Sequence, residues 1–457
     1  MKARNRELLA LVPVAVLLTA GFTAVFIVRS DEIGDLSLIY GAYFLAICLA
    51  VHVFLRIRLP YADPYLFPLC ALLAAIGLIV VFRIDEDLAR DQANWFVLGL
   101  VAFAATIVFL RDYHVLERYR YLIATAGILL LLAPRVIGTE TRGAYLTIDL
   151  GFVSFQTNEV AKLCIVVFVA SYLAEHREML SVAARRVAGV TIPPLKHFGP
   201  LLAVWGTAMM TLALLNDLGP ALLLFGAFLA LLYIATNRFS YVVAGVSLFA
   251  LGAWALADRF GHVRERFDIW LDPFAPNPPA GAGQIQQSLF AQAEGGLFGQ
   301  GLGESLVRLP GPFFPSSCNS FPDCGSIIPA PHTDLVFSVV TAELGLFGAS
   351  ALILAYALIA ARGFKTAVMA PDGFSKLLAA GLTVVFALQA FVIIGGVVGL
   401  IPLTGITLPF VSYGGSSVVA NMILIALLLM ISDQARRPPG EGGVAPDPAD
   451  IEPLEAR

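Results

Sequence analysis

The chain has 457 residues, 58% of them hydrophobic and 14% charged, with a mean hydropathy of +0.83 and a net charge of −4. Soluble domains run at about 45–50% apolar and about 25% charged, so this composition excludes an ordinary soluble protein, and the small negative charge offers no footing for nucleic acid. A backbone inside a bilayer must satisfy its own hydrogen bonds as helix, so the fold class expected is an all-α, polytopic membrane helical bundle.

Taken in chain order, apolar runs predict about twelve transmembrane helices, near residues 8–28, 37–55, 65–82, 94–110, 121–134, 158–174, 199–215, 219–236, 240–257, 334–360, 377–400 and 416–432. Each approaches the length of roughly 20 residues that spans a bilayer. The first follows Lys2, Arg4 and Arg6 and is longer than a signal-peptide core, so an uncleaved span is expected. Most of the 29 Lys and Arg fall in the N-terminal tail, in 56–64, 111–120, 175–198, 237–239 and 361–376, and after the last span. That bias puts both termini in the cytoplasm and the long loop from Asp258 to Thr333 outside the cytoplasmic membrane. Residues 436–457, rich in Pro, Gly and acid, read as a disordered cytoplasmic tail.

The outer loop opens with Arg264-Glu265-Arg266-Phe267, a pattern that suits either a phosphate-bearing headgroup or a solvated interfacial anchor. Residues 284–293 have the spacing of a short amphipathic helix on the membrane surface. The glycines from Gly295 to Gly303 allow close backbone approach to a ligand, but no Gly-Lys-Ser/Thr follows to make a nucleotide loop. Cys318 and Cys324 read either as a small clamp disulfide or as two free thiols. Cys48, Cys70 and Cys164 sit in apolar runs as small hydrophobes.

Asp334 stands where this polar loop meets an apolar run. An acid there is either a helix N-cap or a base at a watery rim. Glu343 lies nine positions on, across the helix and roughly 13 Å along a regular axis, so the two acids cannot form a close dyad. Glu159 and Lys162 share one helix face and read as a buried pair or the polar floor of an outer cavity. Asp217, in a tight turn, reads as a solvated acid. The run from Ile401 to Ser417 is apolar yet broken by Pro and Gly, and such backbone must be buried in protein or line a wet cavity.

Together these motifs resemble the SEDS proteins (shape, elongation, division and sporulation) of the RodA/FtsW/SpoVE type. The residues that carry the resemblance are Asp149-Leu150-Gly151, Ser154-Phe155-Gln156, Glu159, Lys162, Asp217-Leu218-Gly219, Asp272-Pro273, Gln287-Ser288, Gly295 to Gly299, His332-Thr333-Asp334, Glu343-Leu344-Gly345 and the 402–417 loop. The resemblance implies a ten-helix membrane domain over residues 65–435, preceded by an N-terminal two-helix addition at 1–64. It implies a peptidoglycan glycosyltransferase that polymerises lipid II, with Asp334 as catalytic residue, Glu159 and Lys162 as a supporting charged pair, and a class B penicillin-binding protein as partner. Arg264, Arg266, Gln287, His332, Ser412, Gly414, Gly415 and Ser416 are the candidate substrate contacts.

The leaving group of that reaction is undecaprenyl pyrophosphate. Arg264, Arg266, Lys162 or a divalent cation, Mg or Mn, are the candidates to neutralise it, although no metal motif is evident. Three departures stand out. Leu146-Thr147 occupy the place where the family commonly has Arg-Trp. Thr157-Asn158 replace a common Pro-Ser. A Pro- and Cys-containing insertion runs from Gly311 to Ala330. Two rival readings are a lipid-linked precursor flippase, with its key charges near the bilayer midplane, and an inactive scaffold that activates a partner enzyme.

Overall fold

The computed structural model describes residues 2–30, 35–141, 144–149, 154–182, 185–187, 190–192, 195–215, 217–259, 261–279, 281–305 and 327–438. Cys318, Cys324, most of the 311–330 insertion and the chain beyond 438 lie outside the described residues. In chain order the elements are α1 (Lys2–Ser30), α2 (Asp35–Arg58), α3 (Leu66–Ile84), α4 (Glu86–Phe109), α5 (Val115–Arg118), α6 (Arg120–Ile137), β1 (Thr139–Thr141), β2 (Ala144–Asp149), β3 (Ser154–Phe155), α7 (Asn158–Val182), β4 (Arg185–Val187), β5 (Val190–Ile192), α8 (Leu195–Leu214), α9 (Leu218–Thr236), α10 (Phe239–Arg259), α11 (Gly261–Leu271), α12 (Ala282–Gly295), α13 (Val336–Met369), α14 (Gly373–Val397) and α15 (Gly415–Ala435). The strands form two small antiparallel sheets, in the orders β1-β2-β3 and β4-β5.

Every one of the twelve predicted spans is a helix. Among the described residues nine helices are long and apolar enough to cross a membrane, namely α1 to α4, α6, α9, α13, α14 and α15. The apolar parts of α8 and α10 are shorter, and α7 carries Glu159, Lys162, Glu175 and Arg177. The protein is thus an integral membrane bundle. Its most buried members are α3, α14 and α15, with α15 packed on α4 and α14 packed on α13, α7 and α9.

α1 packs on α2 and α3. The buried Arg4 guanidinium donates to Glu7 and to the Ala62 carbonyl, and His52 Nδ1 lies 2.9 Å from Glu7. Charges inside a bilayer persist only when paired in this way.

α13 breaks at Gly345, whose φ of 63° is natural only to glycine. The glycine-rich stretch after α12 runs through the break. Gln300 N donates to Ala342 O and Gly301 N to Glu343 O, both at 3.0 Å, while Leu346 N donates to Gly296 O at 2.9 Å. A Cβ on Gly299 would lie 2.1 Å from Glu343 O. The close approach that these glycines allow is therefore to the backbone of α13. Glu343 turns to Arg83 Nε at 3.0 Å and Ser305 Oγ at 2.9 Å. α12 also differs from expectation in what it touches: its Ala282, Ile285, Ser288 and Ala291 face is buried against protein, on α13 and α14.

At the far end of α15 a second polar layer ties the helix ends together. Asp63, wholly buried, takes Arg362 at 2.9 Å and Arg436 at 2.7 Å. Tyr61 N donates to Asp433 at 2.8 Å. His114 lies 2.7 Å from Asp112 and 3.2 Å from Asp372, which caps α14 through Ser375 N.

Candidate active site

Asp334 sits in a tight turn. Thr333 N and Leu335 N both bond Ala330 O, and Ala330 itself has a positive φ of 45°. The N-cap of α13 falls on Leu335, which makes no side-chain cap. The capping position is thus one residue beyond Asp334.

The broken loop between α14 and α15 clamps this turn. Tyr413 N donates to His332 O at 2.8 Å, Ser412 Oγ donates to Thr333 O at 2.7 Å, and the His332 ring meets the Tyr413 ring edge-on. The loop is held in its turn by Gln92, which donates to Ser412 O at 3.1 Å and accepts from Gly414 N at 3.3 Å, and by Tyr356 OH donating to Pro409 O at 2.6 Å. Phe410 is buried with φ 65°, a strained value for a bulky residue that survives only where packing imposes it.

Two cavities meet at Asp334. The first, about 480 Å³, is lined by Glu265, Arg266, Ile269, Trp270, Gln284, Ile285, Leu289 and residues of the 396–405 stretch. The second, about 260 Å³, is lined by Trp95, Thr147, Asn158, Glu159, Asp217, Thr407, Tyr413 and the Gly414-Gly415-Ser416 run. Asp334 and Gly405 belong to both. The first is walled largely by apolar side chains, with Arg266, Glu265, Gln284 and the Trp270 indole among them; the second is ringed by amides, hydroxyls and acids.

Under the second cavity lies a closed polar network. Lys162 Nζ donates to Glu159 at 2.6 Å and to Gln389 Oε1 at 2.7 Å, and Gln389 Nε2 donates to Thr407 O at 2.9 Å. The two charges are buried but mutually paired, which is what lets them persist inside a bilayer. Asp217, expected in solvent, instead lines the cavity and accepts from Asn158 Nδ2 at 2.9 Å. Burial pushes its carboxyl up to about 6, with the Asn158 bond working against that rise. The departures at 157 and 158 have local partners: Thr157 Oγ1 donates to Leu130 O at 2.6 Å, and Asn158 holds Asp217. Thr147 leaves a short side chain in the cavity wall.

Arg266 lines the first cavity and donates to Leu403 O at 3.3 Å. Arg264 is 72% exposed, outside both cavity linings, and pairs loosely with Asp268 at 4.0 Å. Gln287 lies on α12 but not in either lining, where Gln284 is found instead. Ser412 and His332 act on the backbone of the turn rather than on the cavity surface. Gly414, Gly415 and Ser416 line the second cavity, and Ser416 Oγ accepts from Gln156 N at 2.8 Å. A Cβ on Gly415 would lie 1.9 Å from the Trp95 ring, so only glycine admits that indole.

Sequence reasoning passed over Gln92, Trp95 and Gln389. The usable signal was a lone amide such as Gln389 in an apolar run, since polar groups inside a membrane are there for a reason. Among the described residues no group of three or more His, Cys, Asp or Glu side chains comes together to hold a metal.

Residues 64–437 match the family model described as cell cycle protein, FtsW/RodA/SpoVE. The peptidoglycan glycosyltransferase RodA of Mycobacterium tuberculosis is 40% identical over 95% of this chain and 92% of its own length. The stage V sporulation protein E of Bacillus subtilis is 29% identical over 82% of this chain and 98% of its own. A chain in a solved structure described as coordinating polymerization and crosslinking by a peptidoglycan synthase complex is 26% identical, with a TM-score of 0.64 over 82% of this chain and 99% of that one. The rod shape determining protein RodA of Thermus thermophilus shares the fold, at a TM-score of 0.57 over 82% of this chain and 98% of that one, with 24% identity.

Proposed function

The chain belongs to the FtsW/RodA/SpoVE family of cell cycle proteins, and from that premise we propose that it is a peptidoglycan glycosyltransferase that polymerises lipid II at the outer face of the cytoplasmic membrane, with Asp334 as its general base. The observation that carries the reading is that Asp334 is common to two cavities, one the more apolar and the other the more polar. The apolar cavity with Arg266 and Trp270 suits the lipid-pyrophosphate end of the growing glycan. The cavity ringed by Asn158, Asp217, Thr407 and Ser416 suits the sugar of the incoming lipid II.

The acceptor GlcNAc 4-hydroxyl then lies beside Asp334. Its oxygen forms a bond to the anomeric carbon of the donor while the bond from that carbon to undecaprenyl pyrophosphate breaks. The hydroxyl proton passes to the Asp334 carboxylate, and the pyrophosphate departs with the bonding pair, its charge met by Arg266. A positioned base is worth roughly 10²–10⁴ in rate. The Lys162–Glu159–Gln389 network holds the Thr407 wall of the acceptor cavity, which Glu159 itself also lines.

The cytoplasmic placement of both termini rests on the Lys and Arg bias. Residues 1–64 are read as a two-helix addition to a membrane domain at 65–435. The working assembly pairs this chain with a class B penicillin-binding protein, which cross-links the strands it makes.

The test is polymerisation of lipid II by purified protein. Asp334→Asn is expected to lower the rate at least 10²-fold with an unchanged unfolding temperature. Wild-type glycan strands from that variant would sink the assignment. Lipid translocation that survives Asp334→Ala while polymerisation is absent even in wild type would favour the flippase reading.

A further inference from the structure

The face opposite Asp334 holds a cavity that the glycosyl-transfer reading does not use. It measures about 420 Å³ and lies where the ends of α2, α4 and α15 converge. Three arginines, Arg58, Arg111 and Arg437, and His114 line it, against the two acids Asp112 and Asp433. Leu59, Ile107, Tyr113 and Met430 are buried and form its floor. We propose that this cavity binds the phosphate-bearing headgroup of an anionic phospholipid from the leaflet on that side.

The charge ledger supports an anion. The neighbouring basic groups of this layer are already committed: Arg362 and Arg436 to Asp63, and Arg437 to Asp433 at 2.8 Å. His114 sits between Asp112 and Asp372, and its bond to Asp372 chiefly keeps it protonated, with a pKa of about 9. Arg58 and Arg111 have no acidic partner among the described residues, yet both open into the same cavity. Two uncommitted guanidiniums over one hollow match the geometry in which arginine grips phosphate oxygens.

Depth supports a lipid rather than a soluble anion. Ile57 is 72% exposed and Phe109 is 85% exposed, and these side chains need hydrocarbon around them. Arg58 and Arg111 follow within two residues, a few ångströms farther along the axis, at the level of the headgroups. The acyl chains of a lipid bound there would run back along the exposed faces of α2 and α4. The site also joins α2 to α4 and α15, so an occupant would tie the first two helices to the rest of the bundle. The inference does not depend on the role given to Asp334.

The experiment uses the full-length protein in phosphatidylcholine nanodiscs. Phosphatidylglycerol is titrated in while the unfolding temperature and the lipid retained in native mass spectra are read. Inorganic phosphate is titrated in a parallel arm. Phosphatidylglycerol is expected to raise the unfolding temperature of wild type. The double variant Arg58→Gln/Arg111→Gln is expected to lose that rise, with roughly tenfold or more weaker retention and an unchanged unfolding temperature without anionic lipid, because both arginines are exposed. Arg56→Gln, on the same helix but outside the cavity lining, is expected to behave as wild type. Equal retention by the double variant, equal loss from Arg56→Gln, or full stabilisation by inorganic phosphate alone would each overturn the proposal.

Discussion

At the scale of single residues, much of the candidate site is built from side chains that hold other groups in place, as Lys162 and Gln389 do. Lys162 is 2% exposed and Glu159 is 6% exposed, so removing one leaves the other as an uncompensated buried charge. Lys162→Met is therefore expected to destabilise the protein by about 3–5 kcal/mol, read as the fall in unfolding free energy in detergent. The double change Glu159→Gln/Lys162→Met should recover much of that loss, because no charge then remains stranded. If the single change proves as stable as wild type, the pair is not the electrostatic tie that its 2.6 Å contact indicates. The nine-residue spacing of Asp334 and Glu343 speaks against a glycosidase-style carboxylate pair, and Glu343 does turn away, towards Arg83. Asp334 lies in the turn ahead of α13 and the break at Gly345 lies just past Glu343, so the helix between them is regular only from Val336.

At the scale of elements, that break is the most demanding local structure in the bundle. A side chain at 345 would meet Gly299 N at 2.3 Å and would also have to adopt φ 63°. Gly345→Ala is expected to cost at least 1–3 kcal/mol and to loosen the 295–303 stretch, which limited proteolysis would detect as new cleavage there. The junction before α14 gives a pH signature. Its bond to Asp372 raises His114 to about 9, so its stabilisation is complete below the ordinary value near 6.5 and is lost as pH climbs towards 9. Burial pulls the Asp372 carboxyl up, but the bonds from His114 and Ser375 more than offset this and leave it at about 2; its contribution is complete above about 4 and is lost only as pH falls towards 2. His114 is about one-third exposed, so solvent screening reduces the expected effect to about 1 kcal/mol. Wild type should lose that stability between pH 6.5 and 9 while His114→Gln shows a flatter profile; identical profiles would refute the assignment.

At the scale of the whole molecule, α1 and α2 cover α3 and part of α4, with Phe22 against Phe82 and Phe44 stacked on Phe96. Removing residues 2–58 is expected to lower the unfolding temperature yet leave lipid II polymerisation measurable, because no residue of either cavity lies in that segment. Loss of activity in a truncated protein that still folds would show that the two helices belong to the working unit. The sequence alone determined that this is a helical membrane bundle and where its apolar helices lie, because hydropathy and helix period are local properties written residue by residue, and its short motifs carried the family resemblance. It also marked Asp334, Glu159 and Lys162 by their chemistry against an apolar background. Only the tertiary structure decided that Gln92, Trp95 and Gln389 build the site, that the glycines after α12 pack into a broken helix, and that Asp217 lines a cavity. These outcomes come from contacts between segments far apart in the chain, as when Gln389 of α14 joins Lys162 of α7 to Thr407, and no window along the sequence contains both partners.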